Sequence, residues 1–336
     1  DSNGCIATKK ILEIIEQAGE NDLVICLLSG GGSALLADFP EGCTLNDMIV
    51  VNDLLLKSGA DIRETNTVRK HLSNVKGGQL VKAAQPATLV GLILSDVIGD
   101  PIDVIASGPT VPDTSTFEDA IHILMKYNLL SKVPQQVLNH LQKGFSKLNS
   151  ETPKPGDSIF LNSSNIIIGS NKIALDAACQ KAKEEGLNSI IITSTLEGDT
   201  TKVAKQLIDT ALKFQNDETI KKPCCLLFGG ETTLKVNGSG IGGRNQHLAL
   251  YAASLLKNKN GITLLSAGTD GSDGPTSAAG AVVDSNTIEQ ATARGIDIQK
   301  YLDDFDSFHF FEKVEGHIIT GPTMTNVMDL IIIIIE

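Results

Sequence analysis

The sequence predicts an α/β protein of two domains, each with a mostly parallel sheet covered by helices. Three observations carry this expectation. At 336 residues the chain is roughly twice an average domain. Short apolar runs alternate with segments of helical spacing along most of its length. The apolar stock is aliphatic: hydrophobic residues make up 41% of the chain but aromatics only 4%, with no Trp. Such a core suits strands buried on both faces.

The elements follow in order. Asp1-Ser2-Asn3-Gly4 supplies a turn and cap for a helix over 5–18. The run LVICLL at 23–28 reads as a buried strand that stops at Ser29-Gly30-Gly31-Gly32-Ser33. Residues 44–57 place Leu45, Met48, Ile49, Asn52 and Leu56 on one side of a helix. A second buried strand over 88–94 ends in Ser95-Asp96. A capped helix with Glu118 and Asp119 in its acidic first turn covers 115–127. The stretch LNSETPKPGDS at 148–158 breaks all periodicity, so an exposed linker is expected there, between a domain over 1–150 and a second over 158–336. Strands at 165–168, 189–193, 224–228, 232–236 and 262–266 then alternate with helices at 171–185, 199–214 and 244–256. The longest apolar run, 330–335, is strand-sized. No short-period repeat occurs, which argues against solenoids and propellers.

Charge narrows the function. With 28 basic and 40 acidic residues the net charge is −12, which opposes nucleic acid and anionic membranes as partners. No apolar stretch approaches the roughly 20 residues of a membrane span, and no secretory pattern opens the chain. Six scattered cysteines without CxxC spacing read as free thiols of a reducing compartment, so a cytoplasmic protein is expected. The six histidines lack metal spacing.

Each glycine-rich or Asp/Ser/Thr-rich cluster falls just after a predicted strand, where open α/β sheets bind ligands. Ser29, Gly30, Gly31, Gly32 and Ser33 offer unobstructed N–H groups to a phosphate or carboxylate, or make a tight turn. Residues 238–243 spell GxGxxG, but no acidic residue follows between Arg244 and Thr269, which disfavours a dinucleotide site. That loop instead delivers Arg244, Asn245 and Gln246 at a helix start, suited to a planar oxyanion or to a surface ion pair. Thr269, Asp270 and Asp273 lie on a Gly-punctuated loop where the two carboxylates suggest magnesium held partly through substrate phosphates, or an Asx-turn loop. Asp96 and the trio Gly229-Gly230-Glu231 repeat the theme. Asn66, Arg69, Lys70, His71 and Lys76 form a basic segment that attracts an anion or faces solvent. Walker A, kinase HRD and DFG, GxSxG and HExxH motifs are absent.

Six stretches, taken together, resemble the glycerate 2-kinase family, the class II glycerate kinases. They are SGGGSALL (29–36), LLKSGADIRETNTVRKHLSNVKGGQL (55–80), LILSDVIGDPIDVIASGPTVPD (92–113), FGGETT (228–233), GSGIGGRNQHLAL (238–250) and SAGTDGSDGPTSAAGAVVD (266–284). The resemblance implies a Rossmann-type N-terminal domain reaching to about 221 and a MOFRL domain from about 222 to 336. It further implies ATP- and Mg²⁺-dependent phosphorylation of D-glycerate to 2-phosphoglycerate in a cleft between the domains. Arg244 matches the catalytic arginine of the family's GGRNQ motif. On this reading Asp96 orients or deprotonates the 2-hydroxyl, and Asp270 and Asp273 hold Mg²⁺. The glycine loops, with Ser29, Ser33, Gly230, Glu231, Gly240, Gly242, Gly243, Asn245 and Thr269, hold nucleotide and substrate. A homo-oligomer is allowed. The chain departs from the family pattern at His247, where a Glu is expected, and at Met324, where a Gly is expected. Family members also carry a Gly-Lys-Ala segment, with a catalytic lysine, ahead of the position matching Asp1. The alternative expectation is therefore a relative that binds nucleotide or glycerate without turnover. A removed leading segment carrying a signal would make the location mitochondrial.

Overall fold

The computed structural model describes all residues, 1–336. They form two compact units, one of Asp1–Ser95 with Asp100–Ile168, the other of Asp96–Gly99 with Gly169–Glu336.

The first unit contains α1 (Ser2–Ile15), β1 (Leu23–Leu28), α2 (Gly32–Leu35), α3 (Leu45–Ser58), α4 (Ile62–Lys70), α5 (Gln79–Ala83), β2 (Thr88–Leu94), α6 (Phe117–Lys126), α7 (Gln135–Phe145) and β3 (Ser163–Gly169). Its sheet has the order β1-β2-β3, with β1 and β2 parallel. Three helices begin with reciprocal capping boxes, Thr44 with Asp47, Asp61 with Glu64 and Thr116 with Asp119. Away from the sheet, Leu55, Val68, Phe117, Leu124, Val137 and Leu141 form a core of their own. The 148–158 stretch lies within the first unit and is exposed only in part: Pro155, Gly156, Asp157 and Ser158 face solvent, Thr152 and Pro153 do not. Thr152 is buried and donates to Asp113 Oδ2 at 2.9 Å, while the Pro153 carbonyl accepts from the Asp113 N–H at 2.9 Å. Thr152 thus satisfies a buried carboxylate inside the first unit, and that is why this part of the stretch does not face water.

The second unit contains α8 (Asn171–Glu184), β4 (Asn188–Asp199), α9 (Thr200–Asn216), β5 (Cys224–Thr233), α10 (Arg244–Leu256), β6 (Ile262–Gly268), β7 (Gly280–Val283), α11 (Asn286–Ala293), α12 (Ile298–Asp303), α13 (Ser307–Val314), β8 (His317–Ile318) and β9 (Asp329–Ile335). The two strands expected at 224–228 and 232–236 are one strand, β5. The six-stranded sheet runs β4-β5-β9-β6-β7-β8. The α/β class holds, but this sheet is mostly antiparallel: only β4 and β5 pair in parallel. No helix lies between β6 and β7, and a parallel pair would need such a crossover. Alternation along β9 serves two layers. Ile331, Ile333 and Ile335 join the core with α9 and α10, while Leu330 and Ile332 pack on the α8 side. Helix α10 is buried on nearly every side, so its first residue is fixed by the core beneath it.

Candidate active site

Asp329 begins β9, and its Cα pairs with Gly230 of β5 on one side and Gly268 of β6 on the other. Three central strands thus reach the same level at one buried carboxylate, 1% exposed. Gly230 is required there: its φ is +144°, and a Cβ would lie 2.1 Å from the Leu196 carbonyl. The first side chain of α10, Arg244, grips Asp329 as a fork, Nε donating to Oδ2 at 2.6 Å and Nη2 to Oδ1 at 3.0 Å. The remaining nitrogen, Nη1, stands 2.8 Å from Glu231 Oε1. Burial acts against the charge on Arg244, but Asp329 and then Glu231 and Asp273 more than offset it, so the guanidinium is held above its ordinary range. Burial pushes the Glu231 carboxyl up; Arg244 pulls it down, and Asp329, Asp96 and Asp270 raise it again. Arg244, Glu231, Asp96 and Asp270 therefore share one electrostatic neighbourhood, with carboxylates outnumbering the single arginine.

The other residues expected in this unit have their own partners. Asp273 is 3% exposed and caps α10. Its Oδ1 accepts from the Asn245 N–H at 3.0 Å, and its Oδ2 from the Gln246 N–H at 2.8 Å and Gln246 Nε2 at 3.1 Å. Both oxygens face the positive end of the helix, leaving the cap as their assignment. Asn245 is buried and accepts from Ser266 Oγ at 2.6 Å. Thr269 donates its hydroxyl to the Met328 carbonyl at 2.7 Å, tying the loop to the approach of β9. Asp270 is only half-buried and accepts from the N–H and Oγ of Ser272, at 3.0 and 3.2 Å.

The GxGxxG loop is built for packing. The N–H groups of Ser239 and Gly240 donate to Asp304, and that of Ile241 to Asp306. A Cβ at Gly240 would lie 2.6 Å from the Asp304 carbonyl, at Gly242 2.1 Å from Ser307 Oγ, and at Gly243 2.3 Å from the Asp273 carboxylate. Close approach of the α12–α13 turn and of the capping loop therefore explains these glycines. His247 stacks on Phe305 at 4.9 Å, and burial holds its pKa down. Met324 is exposed with φ at +61°, a conformation glycine adopts at less cost.

In the first unit, the Ser29–Ser33 loop turns at Gly31, whose φ is +77°. Gly32 approaches Ala106 so closely that a Cβ would lie 3.0 Å from that residue's own Cβ. Ser33 Oγ is 2.7 Å from Ser107 Oγ, which donates to Asn66 Oδ1 at 2.9 Å. Ala106, Ser107 and Gly108 all have positive φ, and the N–H groups of Gly77 and Gly78 hold the carbonyls of Ser107 and Gly108. A cavity of about 170 Å³ beside Ser33 is lined by Asp38, Asn52, Arg69, Ser73 and Lys76. The basic segment is not a solvated face: Lys70 pairs with Asp113 at 3.3 Å, Arg69 donates to Asn52 at 2.6 Å, and buried Lys76 has its pKa lowered by burial. A larger polar groove of about 730 Å³ lies against His71, Lys82, His140 and Lys143.

Sequence reasoning missed Asp329. The signal was present: a lone carboxylate opens the most uniform aliphatic run of the chain. Such a charge at the mouth of a buried strand needs a partner.

A domain of unknown function, DUF4147, matches residues 1–142, and the MOFRL family matches 224–329. The D-glycerate 2-kinase of Thermotoga maritima is 46% identical over 336 residues, spanning 99% of this chain and 77% of that protein. The chain belongs to the glycerate 2-kinase family. The family read from the sequence motifs is thereby confirmed. A second glycerate 2-kinase, from Pyrococcus horikoshii, is 42% identical over 100% of this chain and 76% of its own length. The crystal structure of the glycerate kinase from Thermotoga maritima superimposes with a TM-score of 0.93 at 45% identity, covering 100% of this chain and 78% of that one. Charged side chains of the expected motifs gather at Arg244 with Asp329 and Glu231, on the Ser33 cavity, and at the buried Lys70–Asp113 pair.

Proposed function

We propose that the chain is a kinase that phosphorylates D-glycerate to 2-phosphoglycerate with ATP and Mg²⁺. A relative that is 46% identical over 336 residues bears the name D-glycerate 2-kinase. The observation that carries the reading is the Arg244 guanidinium, anchored at the back by Asp329 and open to a further oxyanion beyond half-exposed Glu231.

Phosphoryl transfer asks the protein mainly for positioning and charge stabilisation. Arg244 supplies a planar cation that is charged at every accessible pH, and it neutralises the transferring phosphoryl. Asp96 is the carboxylate assigned to the glycerate 2-hydroxyl, which it orients or deprotonates. Ser33, with Arg69 and Lys76 on its cavity, holds an anionic group of nucleotide or substrate. For magnesium, Asp270 fits: its carboxylate is half-buried and bonded only to Ser272. Asp273 does not, since its lone pairs are spent on α10. No three His, Cys, Asp or Glu side chains form a ready cage, which matches an ion bound by one carboxylate together with substrate phosphates. When bound, the ion supplies charge neutralisation at those phosphates. No helix is long and apolar enough to cross a membrane. The six free thiols fit a reducing compartment, and the cytoplasm is the assigned location.

The test is turnover of Arg244→Lys, which keeps the charge opposite Asp329 but loses the fork. A loss of about 10³-fold or more in kcat is expected, with an unchanged circular dichroism spectrum, and NMR should identify the parent's product as the 2-phospho isomer. Near-normal turnover of this variant would return Arg244 to a structural ion pair.

A further inference from the structure

The two carboxylates on Arg244 differ in kind. Asp329 cannot move without breaking β9 away from β5 and β6, and Asn171 Nδ2 donates to its carbonyl at 2.9 Å and to that of Val327 at 3.0 Å. It takes two guanidinium nitrogens and is sealed from solvent. Glu231 takes the third nitrogen alone, its side chain is 42% exposed, and Arg244 is its one ion-pair partner.

Resting on the phosphoryl-binding role given to Arg244 above, we infer that Asp329 is the positioning residue that aims the guanidinium. Glu231 is a placeholder on Nη1 that a substrate oxyanion displaces. A fork held on two nitrogens from behind leaves one direction for the third, so the same contact that fixes the plane of the arginine selects where an incoming oxygen binds. A carboxylate and a phosphoryl oxygen cannot both take that direction. Glu231 therefore screens the arginine in the empty enzyme and competes with every anion that enters. A purely structural ion pair would need neither the exposure of Glu231 nor the unequal division of the guanidinium.

Steady-state kinetics with ATP, Mg²⁺ and D-glycerate separate the roles. Asp329→Asn is expected to lower kcat about 10²-fold with little change in KM, because the arginine is misaimed. Combining it with Arg244→Lys should add almost nothing. Glu231→Gln is expected to lower the KM of the anion bound at Arg244 roughly fivefold, since a neutral amide competes less well. Full kcat in Asp329→Asn beside a disabled Arg244→Lys would overturn the positioning role while leaving the arginine's own role intact. A full-rate Arg244→Lys would instead remove the reading on which both rest. An unchanged or raised KM in Glu231→Gln would overturn the placeholder. If Asp329→Asn does not fold, Arg244→Gly assayed with millimolar guanidinium decides. Saturable recovery of turnover supports an anchoring Asp329, and no recovery in a folded variant overturns it.

Discussion

Asp270 and Asp273 lie three residues apart on one loop, yet their environments are opposite. Asp273 is sealed against the first turn of α10 and uses both oxygens on N–H donors. Asp270 stays half-buried beside Ser272. Spacing alone cannot separate a cap from a cation ligand, because both want a carboxylate on a glycine-rich loop. The difference lies in which helix end folds over the loop. Removing the cap should leave the Asn245 and Gln246 N–H groups without acceptors, at a cost of about 1–3 kcal/mol. Asp273→Ala is therefore expected to lower the urea midpoint at neutral pH. An unchanged midpoint with a raised magnesium requirement would return Asp273 to the metal. Arg244 was legible from its glycine loop and helix start. Asp329 was not, because its partner lies 85 positions away in sequence and no local pattern links the two.

At the scale of elements, the starts of α3 and α6 were legible to within two residues, since a capping box is a local code of four residues. Helix α4, which has a box of its own, was read only as a basic segment. One such box does double duty. Glu64, in the first turn of α4, accepts from Lys126 Nζ at 2.5 Å and from the Tyr127 hydroxyl at 2.6 Å, both at the end of α6. These bonds, Lys126 first, hold the Glu64 carboxyl down at about 2. An acid whose pKa is depressed by folding stabilises the fold above its unfolded value, about 4.3, and loses that contribution as pH falls toward the folded value. Glu64→Gln should thus melt roughly 2–4 °C below the parent at pH 7. The gap should close between about pH 4.3 and 2. A gap that persists at the acid end would mean that the bonds do not depend on the charge. Strand direction was the least legible. The run at 330–335 announced a strand, but its antiparallel insertion between β5 and β6 depends on pairing partners that lie far off in sequence.

Across the whole molecule, the proposed function asks an acidic chain of net charge −12 to bind an anionic nucleotide and an anionic acid. Local cations such as Arg244, Arg69 and Lys76 have to overcome that background. Saturating MgATP with D-glycerate is expected to raise the melting temperature. Ligand at about 100 times its Kd contributes about 2.7 kcal/mol, or roughly 4 °C for a protein of this size. Chelating the magnesium should cancel most of the rise, and no shift with either ligand would argue against the proposed activity. The alternation of strands and helices, and with it the α/β class, was readable because it is written locally. The division into units was not, because a proline-rich stretch that looks like a tether is used to bury Asp113. The position of β9 also sets an order of events during synthesis. β5, α10 and β6 all leave the ribosome before residues 329–335 exist, so the two strands that flank β9 must wait with open edges for the one that joins them. For that interval the emerging chain exposes hydrogen-bonding edges to any neighbouring strand. Arg244, too, is translated before Asp329, its buried partner. It gains that ion pair only when the sheet closes, so on the proposed function a half-made chain carries the arginine motif without the contact that orients it.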